Sequence, residues 1–427
     1  MKMNSKSLVK YGSIFILLLS FLLFKFQFHF SIIKTILFTF IIMALILLYL
    51  LHNFKKGLKN AGYSEEWQDI YGYKILNIPY FNVNNKIINS FKKDGINFNH
   101  EIGEINEGKD YDKNNRNYYD LFIPYSATKR KDRYNGIFLF IHGGAWENLK
   151  KEYISHLTIR YAKFGYITAQ MNHTFLSKNN KHCSIFRTMD EITSCLENIK
   201  MQLIKIGFNE NKLELAIGGV SSGAHLSLLY GYSMKNIPFP LKFLINYLGP
   251  LSLENKFWYK LGKDIPPFDN IENIDLENLI KEKKIVKIYE NEFNLLELMN
   301  KFIGNKYSDK ELKEMMNGNN INLDNEKFKE LNSIAKYCYP TNFINKNSVP
   351  TLCLYGGLDS IVGITQYYYL KQLSEKYGNK VELLYMKNGG HLFPDYESKE
   401  GMNAIREEHY KILNYAKIYF TSDNENI

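Results

Sequence analysis

Cysteine is scarce in this chain. The four present, Cys183, Cys195, Cys338 and Cys353, include no C-x-x-C pair and no zinc-type spacing. A disulfide scaffold and a structural metal are therefore not expected to organise the fold. A phosphate-binding loop is lacking as well, because Gly218-Gly219-Val220-Ser221-Ser222-Gly223 has no P-loop lysine and no dinucleotide-type acid can be placed after it. The formal net charge is +10, yet its lysines are scattered, with neither a basic helix nor an RNA-binding motif among them. The charge reads as a solvated surface, and no nucleic-acid partner is expected. No motif calls for a cofactor.

Long apolar runs, by contrast, are abundant. Residues 11–51 are nearly continuously aliphatic and aromatic, interrupted mainly by Lys25, Gln27, His29 and Lys34. One membrane span needs about 20 apolar residues, so the run is too long for one and fits two, over 11–30 and 35–51. Lys2, Lys6 and Lys10 precede it and Lys55, Lys56 and Lys59 follow, a pattern that places both flanks on the cytoplasmic face. A signal peptide with its apolar core at 13–24 competes, but it lacks a small-residue cleavage site and a second apolar segment follows at once. A single uncleaved anchor would put the rest of the chain on the opposite face. The expected organisation is a membrane anchor over 1–52, a polar juxtamembrane region and linker over 53–117 that has room for an edge strand, and a large domain over 118–427. With 427 residues, 45% of them hydrophobic, the chain is long enough for one such α/β domain with extras.

Inside that domain, Gly219-Val220-Ser221-Ser222-Gly223 is a G-x-S-x-G motif. An apolar run over 213–218 precedes it and a helix-like run over 224–230 follows. In that strand-turn-helix context the motif is a nucleophile elbow, and its glycines relieve collisions of the sharp turn with the neighbouring strand and helix. Upstream, the buried-strand pattern of 136–141 runs into His142-Gly143-Gly144-Ala145-Trp146, where paired glycines let backbone N–H groups face a site. Downstream, the strand pattern of 349–355 leads to Gly356-Gly357-Leu358-Asp359, and that of 381–386 leads to Gly389-Gly390-His391. The order Ser, Asp, His therefore falls at successive strand ends.

Over about 118–420 these motifs resemble the α/β-hydrolase superfamily, in its carboxylesterase and lipase branch with an HGG oxyanion motif, as in hormone-sensitive-lipase-like and BD-FAE-like esterases. The resemblance implies a mostly parallel sheet of the eight-stranded type flanked by helices. It matches Ser221 to the nucleophile, Asp359 to the acid and His391 to the general base, with Gly143, Gly144 and the N–H of Ser222 as oxyanion donors. The chain departs from the pattern at Val220, Ser222 and Ala224 in the elbow and at Ala145, which stands where relatives have a third glycine.

The chemistry follows from the residue types. A serine hydroxyl needs a base within hydrogen-bond reach and a third group to fix the base's tautomer. Backbone donors then stabilise the charge that develops on the carbonyl oxygen. The expected substrate is a small-molecule or lipid-like ester, with no metal. Asp395 competes with Asp359 as the acid, and Asp359 is preferred because it lies in the turn directly after a strand. His142 and His225 read as structural, the first bracing the oxyanion loop. Trp146 reads as packing, and Asp190 as a helix-surface or loop-bracing carboxylate.

The alternation of strands and helices stops after a strand at 241–248. Residues 251–345 form a charged, helix-rich insertion, a position that in the resembling families holds a cap; Phe257, Trp258, Tyr259 and Phe268 either line an acyl site or pack the cap. Amide or peptide hydrolysis on the same fold is the first rival reading. It is disfavoured by Ser222, where such peptidases carry Tyr after the nucleophile. A catalytically inactive binding protein is the second rival, disfavoured because no triad member is missing.

Overall fold

The computed structural model describes residues 40–45, 48–49, 67–80, 116–133, 135–177, 183–269, 275–391 and 399–420. Chain contacts divide it into two compact units, Met1–Ser64 and Glu65–Ile427. The anchor expected over 1–52 lies largely outside the described residues. Its described part, 40–45 and 48–49, is helical. Among the described residues no helix is long and apolar enough to cross a membrane.

The larger unit runs β1 (Gly72–Pro79), β2 (Tyr118–Pro124), α1 (Tyr125–Thr128), β3 (Asn135–Ile141), α2 (Ser155–Lys163), β4 (Ile167–Met171), α3 (Ile185–Lys205), β5 (Leu213–Val220), α4 (Ser222–Ser233) and β6 (Leu241–Tyr247). After an insertion come β11 (Thr351–Gly356), α9 (Thr365–Tyr377), β12 (Val381–Met386) and α10 (Lys399–Tyr419). The eight strands form one sheet in the order β1-β2-β4-β3-β5-β6-β11-β12. The β1–β2 and β2–β4 pairings are antiparallel and the rest parallel. This is the mostly parallel, helix-flanked α/β-hydrolase arrangement.

Sequence pattern explains the two-sided core. Every residue of β3 is buried, as expected of a parallel strand covered on both faces. Because side chains alternate, Ile137, Leu139 and Ile141 join one apolar cluster with α3 and α4, whereas Phe138 and Phe140 join the other with α2 and α10. Phe420 closes the second cluster edge-on to Phe138, with ring centres 5.5 Å apart. Ser184 caps α3 by accepting from the Arg187 N–H, which satisfies one of the helix's orphan donors.

The insertion holds the helices α5 (Leu276–Lys281), α6 (Phe293–Phe302), α7 (Asp309–Glu314) and α8 (Glu326–Ala335). It also holds two small antiparallel ribbons, β7 (Tyr259–Leu261) with β8 (Ile285–Lys287) and β9 (Met316–Asn317) with β10 (Asn320–Ile321). A Ser308–Glu311 capping box starts α7.

Candidate active site

Ser221 stands between β5 and α4 with φ 54° and ψ −120°, a conformation that L-residues hold only when the surroundings impose it. Here the surroundings do. The Ser221 N–H donates to the Tyr247 carbonyl at 2.7 Å, and the His225 N–H donates to the Ser221 carbonyl at 3.1 Å. A Cβ on Gly219 would lie 2.3 Å from the Gly223 carbonyl carbon, and one on Gly223 would lie 2.2 Å from the Ile141 carbonyl oxygen. Only glycine lets strand, turn and helix approach this closely.

The structure brings Ser221, His391 and Asp359 together. His391 Nε2 lies 2.9 Å from Ser221 Oγ, and His391 Nδ1 lies 2.8 Å from Asp359 Oδ2. Asp359 is 3% exposed. Its other oxygen accepts from the N–H groups of Ile361 and Val362 at 2.8 and 2.9 Å, which fixes the carboxylate. With Nδ1–H directed to Asp359, Nε2 is the ring nitrogen left to accept from the serine hydroxyl. Asp395 lies outside the described residues.

Gly143 and Gly144 follow β3, and Gly143 lies against the elbow. A Cβ on Gly143 would sit 3.2 Å from Ser221 Cβ and 2.7 Å from the Val220 carbonyl oxygen. Gly144, Ala145 and Trp146 run at φ 113°, 51° and 62°, so the loop turns back sharply, and the Glu147 and Asn148 N–H groups donate to the Gly144 carbonyl. Ser222 opens α4, and an N–H in a helix's first turn has no acceptor inside the helix.

The loop is braced from behind. His142 Nδ1 donates to the Gly143 carbonyl at 2.7 Å, and its Nε2 accepts from Arg116 Nη2 at 3.4 Å. Burial and the neighbouring His173 ring hold the His142 imidazole neutral, well below its usual range. Arg116 also donates to the carbonyls of His173 and Leu149, and its guanidinium lies 3.5 Å from the Phe175 ring centre. Arg116 falls in the stretch that the sequence marks as linker, since nothing local distinguishes it from the other scattered cations. A second brace carries no local sequence signal either. Asn246 accepts from the Gly249 N–H and donates to the Tyr355 hydroxyl, both buried, which sets the Gly249-Pro250 turn beside Ser221.

Three further expectations are decided by the structure. Of the two readings of Asp190, helix-surface or loop-bracing, its burial on α3 excludes the first. Of the insertion aromatics, Trp258 lines the pocket at Ser221, whereas Phe257 packs on Tyr369 with ring centres 4.7 Å apart, and Tyr259 and Phe268 join a satellite core. Trp146 both packs and lines the site. The pocket holds about 200 Å³, with Trp146, Trp258, Tyr289 and Leu298 among its walls. At its rim Lys301 of α6 forms an ion pair with Glu147 of the loop after β3.

Comparison with known proteins is consistent with this geometry. The BD-FAE family model, which describes α/β-hydrolase esterases, matches residues 120–373. Among solved structures, an inhibited esterase B from Lactobacillus rhamnosis is 11% identical, covers 88% of this chain and 97% of its own, and has a TM-score of 0.51. Esterase B from strain HN001 of that organism is 12% identical over 88% of this chain and 95% of its own, with a TM-score of 0.50. At these identities the likeness is one of fold. No curated protein matches the sequence.

Proposed function

The chain belongs to the BD-FAE family of α/β-hydrolase esterases, and from that premise we propose that it is a membrane-anchored serine esterase that works through an acyl-enzyme intermediate. The observation that carries the mechanism is the His391 imidazole, hydrogen-bonded on one side to Ser221 Oγ and on the other to Asp359.

The steps follow from that arrangement. Ser221 Oγ attacks the ester carbonyl carbon while its proton passes to His391 Nε2. Asp359 holds the ring's orientation and stabilises the imidazolium. The carbonyl oxygen becomes an oxyanion, and the Gly143, Gly144 and Ser222 N–H groups are the donors assigned to it; losing one such donor typically lowers kcat by about 10²–10³-fold. Collapse of the intermediate breaks the carbon–oxygen bond, and His391 returns the proton to the departing alcohol. Water then attacks the acyl-serine with His391 again as base, releasing the acid and restoring Ser221.

The small pocket favours a short acyl group, since sites for larger ligands run to about 300–1,000 Å³. The anchor rests on the apolar run at 11–51, and the lysines on both flanks favour a catalytic domain on the cytoplasmic face. Replacement of Ser221 by Ala tests the catalytic reading directly: hydrolysis of short p-nitrophenyl esters and labelling by a fluorophosphonate probe should both vanish. Undiminished turnover in that variant would reject it.

A further inference from the structure

We propose that the β1 edge of the sheet is a membrane-docking surface, which rests the catalytic unit on an anionic lipid bilayer through an apolar patch flanked by basic side chains. The inference depends on the reading that residues 11–51 insert into a membrane.

β1 is the outermost strand on its side of the sheet, and its neighbourhood exposes apolar surface that a water-facing edge does not need. Ile70 is 75% exposed and Phe164 57%, and Tyr73, Leu76 and Tyr125 are exposed as well. These residues come from the segment leading into β1, from β1 itself, from α1 and from the end of α2. Contacts link these elements around both faces of the sheet edge. The Tyr73 and Tyr125 rings meet edge to face at 5.4 Å. Lys163 Nζ stands 5.1 Å from the Tyr71 ring centre, and Arg130 donates to the Gly165 carbonyl at 3.2 Å. Large exposed apolar patches mark interaction surfaces, and tyrosines suit the membrane–water interface because one end of the ring is apolar and the other polar.

Charge and chain geometry favour lipid over a second protein strand. In these segments Lys74, Lys129, Arg130 and Lys163 outnumber Asp69 and Asp132, a balance that suits an anionic headgroup layer. Strand addition by another copy is obstructed, because the β1 register shifts between Ile75 and Ile78 with Asn77 at φ 54°, and Pro79 offers no N–H. The sequence also ties this edge to the apolar run. Fifteen residues separate Leu51 from Trp67, a tether of at most about 50 Å. Such a tether keeps the patch at high local concentration near any bilayer the run enters.

Site-specific labelling of the full chain in vesicles tests the proposal. All four native cysteines are buried, so an environment-sensitive fluorophore on Leu76→Cys or Phe164→Cys labels the patch selectively, and Leu323→Cys, exposed in the insertion, is the control. In phosphatidylcholine vesicles containing phosphatidylglycerol and headgroup-nitroxide lipids, both patch labels should lose most of their emission and the control should keep it. Added salt should restore part of the patch signal through screening. If the chain floats with the vesicles but the patch labels are quenched no more than the control, docking is overturned and the anchor stands. If the chain does not float, both are overturned. Concentration-dependent self-quenching of the patch labels without lipid quenching would assign the surface to a second copy, which also overturns the proposal.

Discussion

The indole N–H of Trp146 donates to His225 Nδ1 at 3.2 Å, and His225 Nε2 in turn donates to the Cys338 carbonyl at 2.8 Å. This short chain ties the loop after β3 to the elbow helix and the elbow helix to the segment that closes the insertion. Burial pushes the His225 imidazole down to about 4, so it stays neutral and can serve as acceptor and donor at once. Replacing Trp146 with Phe keeps most of the ring but leaves a buried acceptor without its donor. The expected loss is about 1–3 kcal/mol of folding stability, read from urea midpoints. An unchanged midpoint would mean that the bond contributes nothing.

In the proposed mechanism Asp359 acts through His391. Asp359→Asn should preserve the fold while lowering kcat by roughly 10⁴-fold, because the amide favours the wrong imidazole tautomer. Steady-state kinetics on a short-chain ester, with circular dichroism as the fold control, would decide it. A loss under tenfold would show that another group orients the ring.

The elbow glycines admit a steric test. A Cβ on Gly223 would lie 2.2 Å from the Ile141 oxygen and 2.4 Å from the His142 oxygen, both backbone atoms that cannot swing away, whereas a Cβ on Gly390 meets nothing within 4 Å. Gly223→Ala should destabilise by about 1–3 kcal/mol or more and remove activity. Gly390→Ala should leave the melting temperature near wild type, and equal effects of the two substitutions would refute the packing argument.

Glu408 on α10 is buried, accepts from the Tyr247 hydroxyl at 2.8 Å, and is pushed up to about 7 by that burial, with the charge of Arg160 opposing. A carboxyl whose folded pKa exceeds its unfolded one favours folding while protonated. Its contribution is therefore complete below about 4.5 and is lost as pH rises through about 7. Glu408→Gln stays neutral throughout. The variant should exceed wild type in stability at pH 8 by up to about 3 kcal/mol, with the gap closing below pH 5 in parallel urea titrations. A gap independent of pH would show that the carboxyl does not titrate in this range.

How much of this was legible beforehand varies element by element, for physical reasons. β3 is a short apolar run bounded by turn residues, and β12 is one broken only by Glu382; such runs announce themselves. The helix α9, Thr365–Tyr377, escaped notice because Tyr367, Tyr368 and Tyr369 in succession blur the apolar stripe that a helix normally shows. The ribbons of the insertion are only two or three residues long, below any periodic signal.

The sequence by itself determined the alternating architecture and marked Ser221, Asp359 and His391, because strand-end turns need glycines and polar residues that local pattern exposes. Only the tertiary structure decided that His391 stands within 3 Å of both partners, that Arg116 reaches behind the loop after β3, and that Trp258 walls the pocket. Those contacts join residues tens to hundreds of positions apart. Sheet order and helix packing bring them together, and neither is encoded in any single stretch of chain.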